Sequence, residues 1–304
     1  MKRKKIILRS QTCSKKTEKI ETQHAQTVQP TIATEIAIEN SKPTITIWIH
    51  GTRLLPSPIL HAYVYSKPGL HPITILDKNY YLRQSADAII EANPERYPAE
   101  HFYSFGWSGK LNAAARKIAS EQLHHELIDL LAHYEKKYTV KPTIRIITHS
   151  HGGNIALHLA EMKHPENALE IEELILLACP VQERTMHHIE DPMFKKTYAL
   201  YSSLDMLQIL APQFLYRIER KKYKNKKMGI KMPLFSSKLF PPHPKLAQLK
   251  VKLNGTAIFH TTFSNASFTR MLPTIIDEID SWQLAEQQYP FDKPDTRRLI
   301  SIYT

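Results

Sequence analysis

The stretch from Ile144 to Leu157 constrains the fold more than any other part of the chain. It begins with the apolar, β-branched run Ile144, Ile146, Ile147 and Thr148. Ser150 then stands between His149 and His151, and Gly152, Gly153 and a helix-like stretch through Ile155, Ala156 and Leu157 follow. The pattern predicts a strand, a sharp turn and a helix with Ser150 at the apex. A serine on such a turn is pushed out of the sheet, where a base can reach it. The turn also needs a neighbour without a Cβ at Gly152.

This stretch resembles the nucleophile elbow, G-x-S-x-G, of the α/β-hydrolase superfamily, in its lipase/esterase-like branch. Thr148 stands where the first glycine usually lies, so the match is a variant. Three weaker motifs follow the same order along the chain, and the resemblance covers about residues 44–285. It implies a three-layer α/β/α sandwich, with a mostly parallel central sheet, helices on both faces and a site at the strands' carboxyl ends. It also implies Ser150 as nucleophile of a Ser-His-Asp triad that cleaves carboxylic esters, lipid or acyl, through an acyl-enzyme. A thioesterase or amidase using the same triad is the chemical alternative. A non-catalytic scaffold that binds an acidic partner or a membrane is the alternative of another class.

The remaining site residues come from the motifs around the elbow. Residues 44–49 alternate on a two-residue period, read as a strand, and run into His50, Gly51 and Thr52. By the resemblance, the backbone N–H groups of Thr52 and His151 form an oxyanion hole. Residues 101–105 read as a strand, Trp107-Ser108-Gly109 as a loop, and about 110–138 as a long helix with an apolar stripe that includes Ala114, Ile118, Leu127, Leu130 and Leu131. His50, Trp107 and His149 are candidates for lining the pocket. Beyond the elbow, residues 174–178 read as a buried parallel strand and 197–201 as the next, with Asp205 just after it as the candidate acid. Only His243 and His260 lie beyond Asp205, and His260, at the end of the run Thr256 to Phe259, is the candidate base. Asn254-Gly255 has the composition of a hairpin turn, so either 249–253 or 256–259 is the final parallel strand.

Residues 180–196 read as an irregular excursion containing Met186, His187 and His188. Adjacent histidines diverge on any regular element, and no H-E-x-x-H spacing accompanies them, so no metal ligand is assigned. No organic cofactor is expected either.

Composition sets the outer bounds. The chain has 304 residues and is 42% hydrophobic, enough for one good core. Five of its 8 glycines (Gly51, Gly106, Gly109, Gly152 and Gly153) fall in the segments assigned to the site. Cys13 and Cys179 do not suggest a disulfide framework. Residues 1–40 read as a basic, flexible arm and 41–304 as the catalytic domain, with a basic insertion around 215–245. The apolar run behind Met1 is too short for a secretory signal, and no stretch approaches the roughly 20 apolar residues of a membrane span. A cytoplasmic or membrane-peripheral location is expected, with non-classical export left open. The net charge of +12 favours acidic surfaces. The run from Arg217 to Lys231 is a candidate contact with anionic membrane. No nucleic-acid-binding motif accompanies the charge, so nucleic acid is not an expected partner. Oligomeric state is left open.

Overall fold

The computed structural model describes residues 5–10, 42–52, 67–162, 169–210, 237–288 and 297–303. Its strands are β1 (Lys5–Ser10), β2 (Thr44–Ile49), β3 (Gly69–Pro72), β4 (Phe102–Gly106), β5 (Thr143–His149), β6 (Ile171–Leu177), β7 (Phe194–Tyr201), β8 (Leu246–Leu253), β9 (Thr256–Ala257) and β10 (Arg297–Tyr303). They form one sheet in the order β1-β10-β8-β7-β6-β5-β2-β4-β3, with β9 paired to β8. The pairs from β10 through to β4 are all parallel. The exceptions are antiparallel: β1 on β10, β3 on β4, and β9 on β8.

The helices are α1 (Tyr81–Ala92), α2 (Ala113–Tyr138), α3 (Gly152–His158), α4 (Met206–Leu210), α5 (Ala266–Thr269) and α6 (Leu272–Gln288). They cover both faces of the sheet. One core packs Ala119, Leu123 and Leu127 of α2 and Ile155 of α3 on Ile47, Ile146, Leu174 and Leu176. The other packs Leu82 of α1, Phe268 of α5 and Ile275 of α6 on Trp48, Ile147, Ile175 and Leu177. Successive residues of one strand therefore enter opposite cores, which is why these strands are apolar without alternation. The expected three-layer α/β/α architecture is the one the chain adopts.

Several local readings differ. α2 starts at Ala113 because the Asn112 side chain caps it, accepting from the Ala115 N–H at 2.6 Å. Its buried face runs through Arg116, Ala119, Ser120, Leu123, His124, Leu127, Leu131 and Tyr134. Ile118, placed on the stripe, is 64% exposed. Polar side chains occupy the part of this face near the site, so the apolar period misplaces it. β8 is the parallel strand and β9 only its hairpin return, through Asn254 and Gly255, both at positive φ. The sheet extends past the region of resemblance, through β10 and then β1. Residues 5–10, read as part of an arm, are that antiparallel edge strand.

The strand order reverses beside β2. β4 lies on one side of it, and the chain then crosses through α2 to β5 on the other. In open parallel sheets this is where loops at the strands' carboxyl ends diverge and leave a crevice. Ile49 pairs in register with Thr148, so His50 to Thr52 and His149 to His151 emerge side by side.

Candidate active site

Ser150 leaves β5 at φ +54° and its N–H donates to the Leu177 carbonyl at 2.8 Å. Positive φ costs a side-chain-bearing residue about 1–3 kcal/mol, so surrounding structure must hold it there. Part of that hold is close backbone approach. A Cβ on Gly152 would lie 2.6 Å from the Ile49 carbonyl oxygen, and one on Gly51 would lie 2.8 Å from Ser150 Cβ. The two loops can meet only through glycines.

Asp205 and His260, 55 residues apart, meet in a hydrogen bond of 2.8 Å between Oδ2 and Nδ1. Asp205 is fully buried, and its Oδ1 accepts from the Gln208 backbone N–H at 3.0 Å. A carboxylate with both oxygens occupied is fixed in rotation. The carboxylate makes Nδ1 the protonated nitrogen, which leaves the Nε2 lone pair facing away from it. Ser202 Oγ accepts from the Ile258 N–H at 2.9 Å, which ties the loop after β7 to the segment leading into His260. Lys238 Nζ donates to the Ser202 and Ser203 carbonyls at 2.9 and 2.8 Å.

His149 joins this pair to the Ser150 turn. Its Nε2 donates to the His260 carbonyl at 3.1 Å, and the two rings lie 4.7 Å apart, centre to centre. Burial first, and the neighbouring His260 second, push the His149 pKa down to about 3. It stays neutral beside any positive charge that develops on His260. His151 is also held well below the usual histidine range, by burial and by Arg116. Asn154 orients it by donating from Nδ2 to its Nδ1 at 3.3 Å, and Thr185 fixes that amide by donating to Asn154 Oδ1 at 2.6 Å.

His50 and Trp107, candidates for lining the pocket, are buried against one another. The Trp107 indole N–H donates to the His50 carbonyl at 2.8 Å, its backbone N–H reaches His50 Nε2 at 3.2 Å, and the rings stack at 5.8 Å. His50 Nδ1 donates in turn to the Gly51 carbonyl at 2.7 Å. A buried indole needs an acceptor. Meeting that need makes the pair a brace for the Thr52 loop.

Among the described residues, the backbone N–H groups of Thr52 and His151 have no hydrogen-bond acceptor, and neither does the Ser150 hydroxyl. Thr52 Oγ1 is buried without a partner. Donors left unfilled where two loops converge can receive a negatively charged oxygen. Asn154, Thr185, Gln208 and Arg116 went unread in the sequence because a polar residue's partner across the fold leaves no local pattern. Only the Met-Leu-Gln run after Asp205 hinted at the helix start that binds it.

No protein-family model matches the chain, and no curated protein matches it by sequence. Solved structures do align with it. Carboxyl esterase 2 from Tuber melanosporum is 14% identical, with 80% of this chain and 76% of that one covered at a TM-score of 0.39. A protein of unknown function from Agrobacterium tumefaciens, described as an α/β hydrolase, is 13% identical over 81% and 89% at 0.39. A hyperthermophilic esterase from Pyrobaculum calidifontis is 11% identical over 80% and 74% at 0.35. Similarity this low carries no argument about chemistry, which rests on the site itself.

Proposed function

We propose that this chain is a serine hydrolase of carboxylic esters, with Ser150 as nucleophile, His260 as base, Asp205 as its orienting acid and the N–H groups of Thr52 and His151 as the oxyanion hole. The observation that carries this reading is the buried 2.8 Å bond from Asp205 to His260, linked through His149 to a serine held at positive φ. In the reaction, Ser150 Oγ attacks the acyl carbon while its proton passes to His260 Nε2. The carbonyl electrons move onto oxygen and are held by the two backbone N–H groups. Collapse of this intermediate expels the alkoxide, which takes the proton from His260. Water then repeats the cycle and releases the acid. Each backbone donor is worth about 3 kcal/mol in such an intermediate.

An apolar acyl group suits the surroundings. Leu204, Met206 and Leu207 flank Asp205, Phe259 flanks His260, and all four side chains are exposed. A thioester would meet the same groups. The proposed membrane contact through Arg217 to Lys231 lies outside the described residues and rests on charge alone. No helix among the described residues is long and apolar enough to cross a membrane.

The test is labelling with a fluorophosphonate probe, followed by a panel of p-nitrophenyl esters of rising chain length. Labelling that disappears in both Ser150→Ala and His260→Ala supports the triad. A folded wild-type protein that does not label refutes it and leaves the scaffold reading.

A further inference from the structure

At the far end of α3 from Ser150, a second cluster of side chains converges. His158 closes α3, Glu161 lies in the 3-10 turn that follows, and His188 arrives from the 3-10 turn Met186–Glu190 between β6 and β7. His158 Nδ1 is 2.8 Å from Glu161 Oε1, and His188 Nε2 is 3.8 Å from the same oxygen. One ligand atom from each residue can be chosen so that all lie within 4.8 Å of one another. Around a tetrahedral ion with bonds of about 2.0–2.1 Å, neighbouring ligand atoms sit roughly 3.4 Å apart. The two measured separations bracket that value.

We propose that His158, Glu161 and His188 form a binding site for a divalent transition metal, Zn2+ above all. Two imidazoles and one carboxylate are a three-ligand set that leaves a position open to water, and imidazole nitrogen favours zinc over calcium or magnesium. Several features of the surroundings fit. Lys117 Nζ holds Glu161 Oε2 at 3.1 Å, which turns Oε1 toward the imidazoles. A cavity of about 530 Å3, lined by Glu161, His187, His188, Glu190 and Asp191, opens beside them. Its carboxylates attract a cation, and its opening admits water.

The site is separate from the proposed hydrolase site. Eight residues of helix and turn place His158 roughly 12 Å from Ser150 along the axis. Zinc here would staple the excursion after β6 to the helix that starts at the Ser150 turn. In the sequence, His187 and His188 are adjacent and have no ligand spacing, so no metal ligand could be assigned there. The structure draws instead on His158 and Glu161, 27 and more positions upstream of His188.

The test uses the full-length chain, stripped with a chelator and titrated with Zn2+ against a chromophoric competitor. The expected result is one Zn2+ per chain, with a rise in Tm and a tetrahedral or five-coordinate visible spectrum on Co2+ substitution. His188→Ala and Glu161→Gln should each weaken binding by about 100-fold or more and abolish the Tm rise. Both side chains are partly exposed, so these variants retain the fold, as circular dichroism would verify, whereas the buried His158 is tested last through His158→Gln. No stoichiometric binding by the wild type would overturn the proposal. So would binding that survives both His188→Ala and Glu161→Gln, since the chain has 16 histidines to bind zinc elsewhere.

Discussion

The two ends of the central sheet treat buried polar groups in opposite ways. At the amino ends of the strands, Arg145 and Glu173 are paired in register on β5 and β6, and Arg145 Nε donates to Glu173 Oε2 at 2.5 Å. Arg96 reaches Glu173 Oε1 at 2.7 Å and also pairs with Asp277. Arg145 lies over the buried Tyr97 ring at 4.4 Å and donates to the Arg96 carbonyl at 2.8 Å. Charge there is answered by charge. At the carboxyl ends, Ser150 is held at positive φ, and the Thr52 and His151 N–H groups have no acceptor among the described residues. In a buried network of paired charges, each partner becomes costly to remove alone. Groups held in place with bonding capacity unfilled are what a reaction requires.

Breaking the carboxyl end should produce the largest effects, and they should be effects on rate. Ser150→Ala is expected to reduce ester hydrolysis on the order of 10^6-fold, and Asp205→Asn by about 10^4-fold through loss of the correct imidazole tautomer. Steady-state kinetics on a short-chain p-nitrophenyl ester measure both. Ser150→Gly should be equally inactive yet more stable than wild type by about 1 kcal/mol, because glycine accepts positive φ. A Ser150→Gly protein with a lower midpoint in urea would contradict the strain assigned to this turn.

The amino end should respond in stability alone. Glu173→Gln leaves two arginines without their shared carboxylate and should cost about 3–5 kcal/mol in urea unfolding. The kcat of the folded variant should stay near wild type. A large fall in kcat with unchanged stability would erase the contrast between the two ends.

His149 lies between these cases as a positioning residue. His149→Ala removes the donor to the His260 carbonyl and should lower kcat by about 10^2-fold, while KM changes little. His149→Gln, which can still donate from an amide, should recover part of the loss.

Lowering the pH should act on stability through both ends of the sheet. Burial raises the Glu173 carboxyl, but Arg145 and Arg96 outweigh it and hold it below the ordinary 4.5. Its contribution is therefore present above pH 4.5 and is lost as pH falls through its folded value. His149 and His158, held neutral at about 3 and 4, bind protons more readily unfolded, so they withdraw stability as pH drops below 6.5. The expected acid profile has two limbs. Glu173→Gln should flatten only the lower one, and His149→Gln should weaken the upper one. Tm measured from pH 7 to pH 3 separates them.

Much of this was legible in the chain. Apolar runs such as residues 144–147 and 174–177 specify buried strands, because both faces of such a strand must leave water. Gly152 in the turn after Ser150 was readable for a steric reason that is local to the turn. The order of Ser150, Asp205 and His260 along the chain supplied the candidates. The reach of the sheet to β10 and β1 was not legible, since edge strands are specified by their partners. The buried face of α2 was misread where Arg116, Ser120 and His124 turn inward, because polar side chains add nothing to an apolar period; Arg116 is held there by Gln182, on another segment.

By itself, then, the sequence determined the layers, the strand-turn-helix at Ser150 and which residue types were available for chemistry, since these depend on periodicity and local sterics. Tertiary structure alone decided that His260 rather than His243 meets Asp205, and that His149 bonds the His260 carbonyl. It also turned Trp107 onto His50 and gathered His158, Glu161 and His188. Each of these is a match of donor and acceptor, or of charge, between segments distant in the chain, and no local pattern encodes such a match.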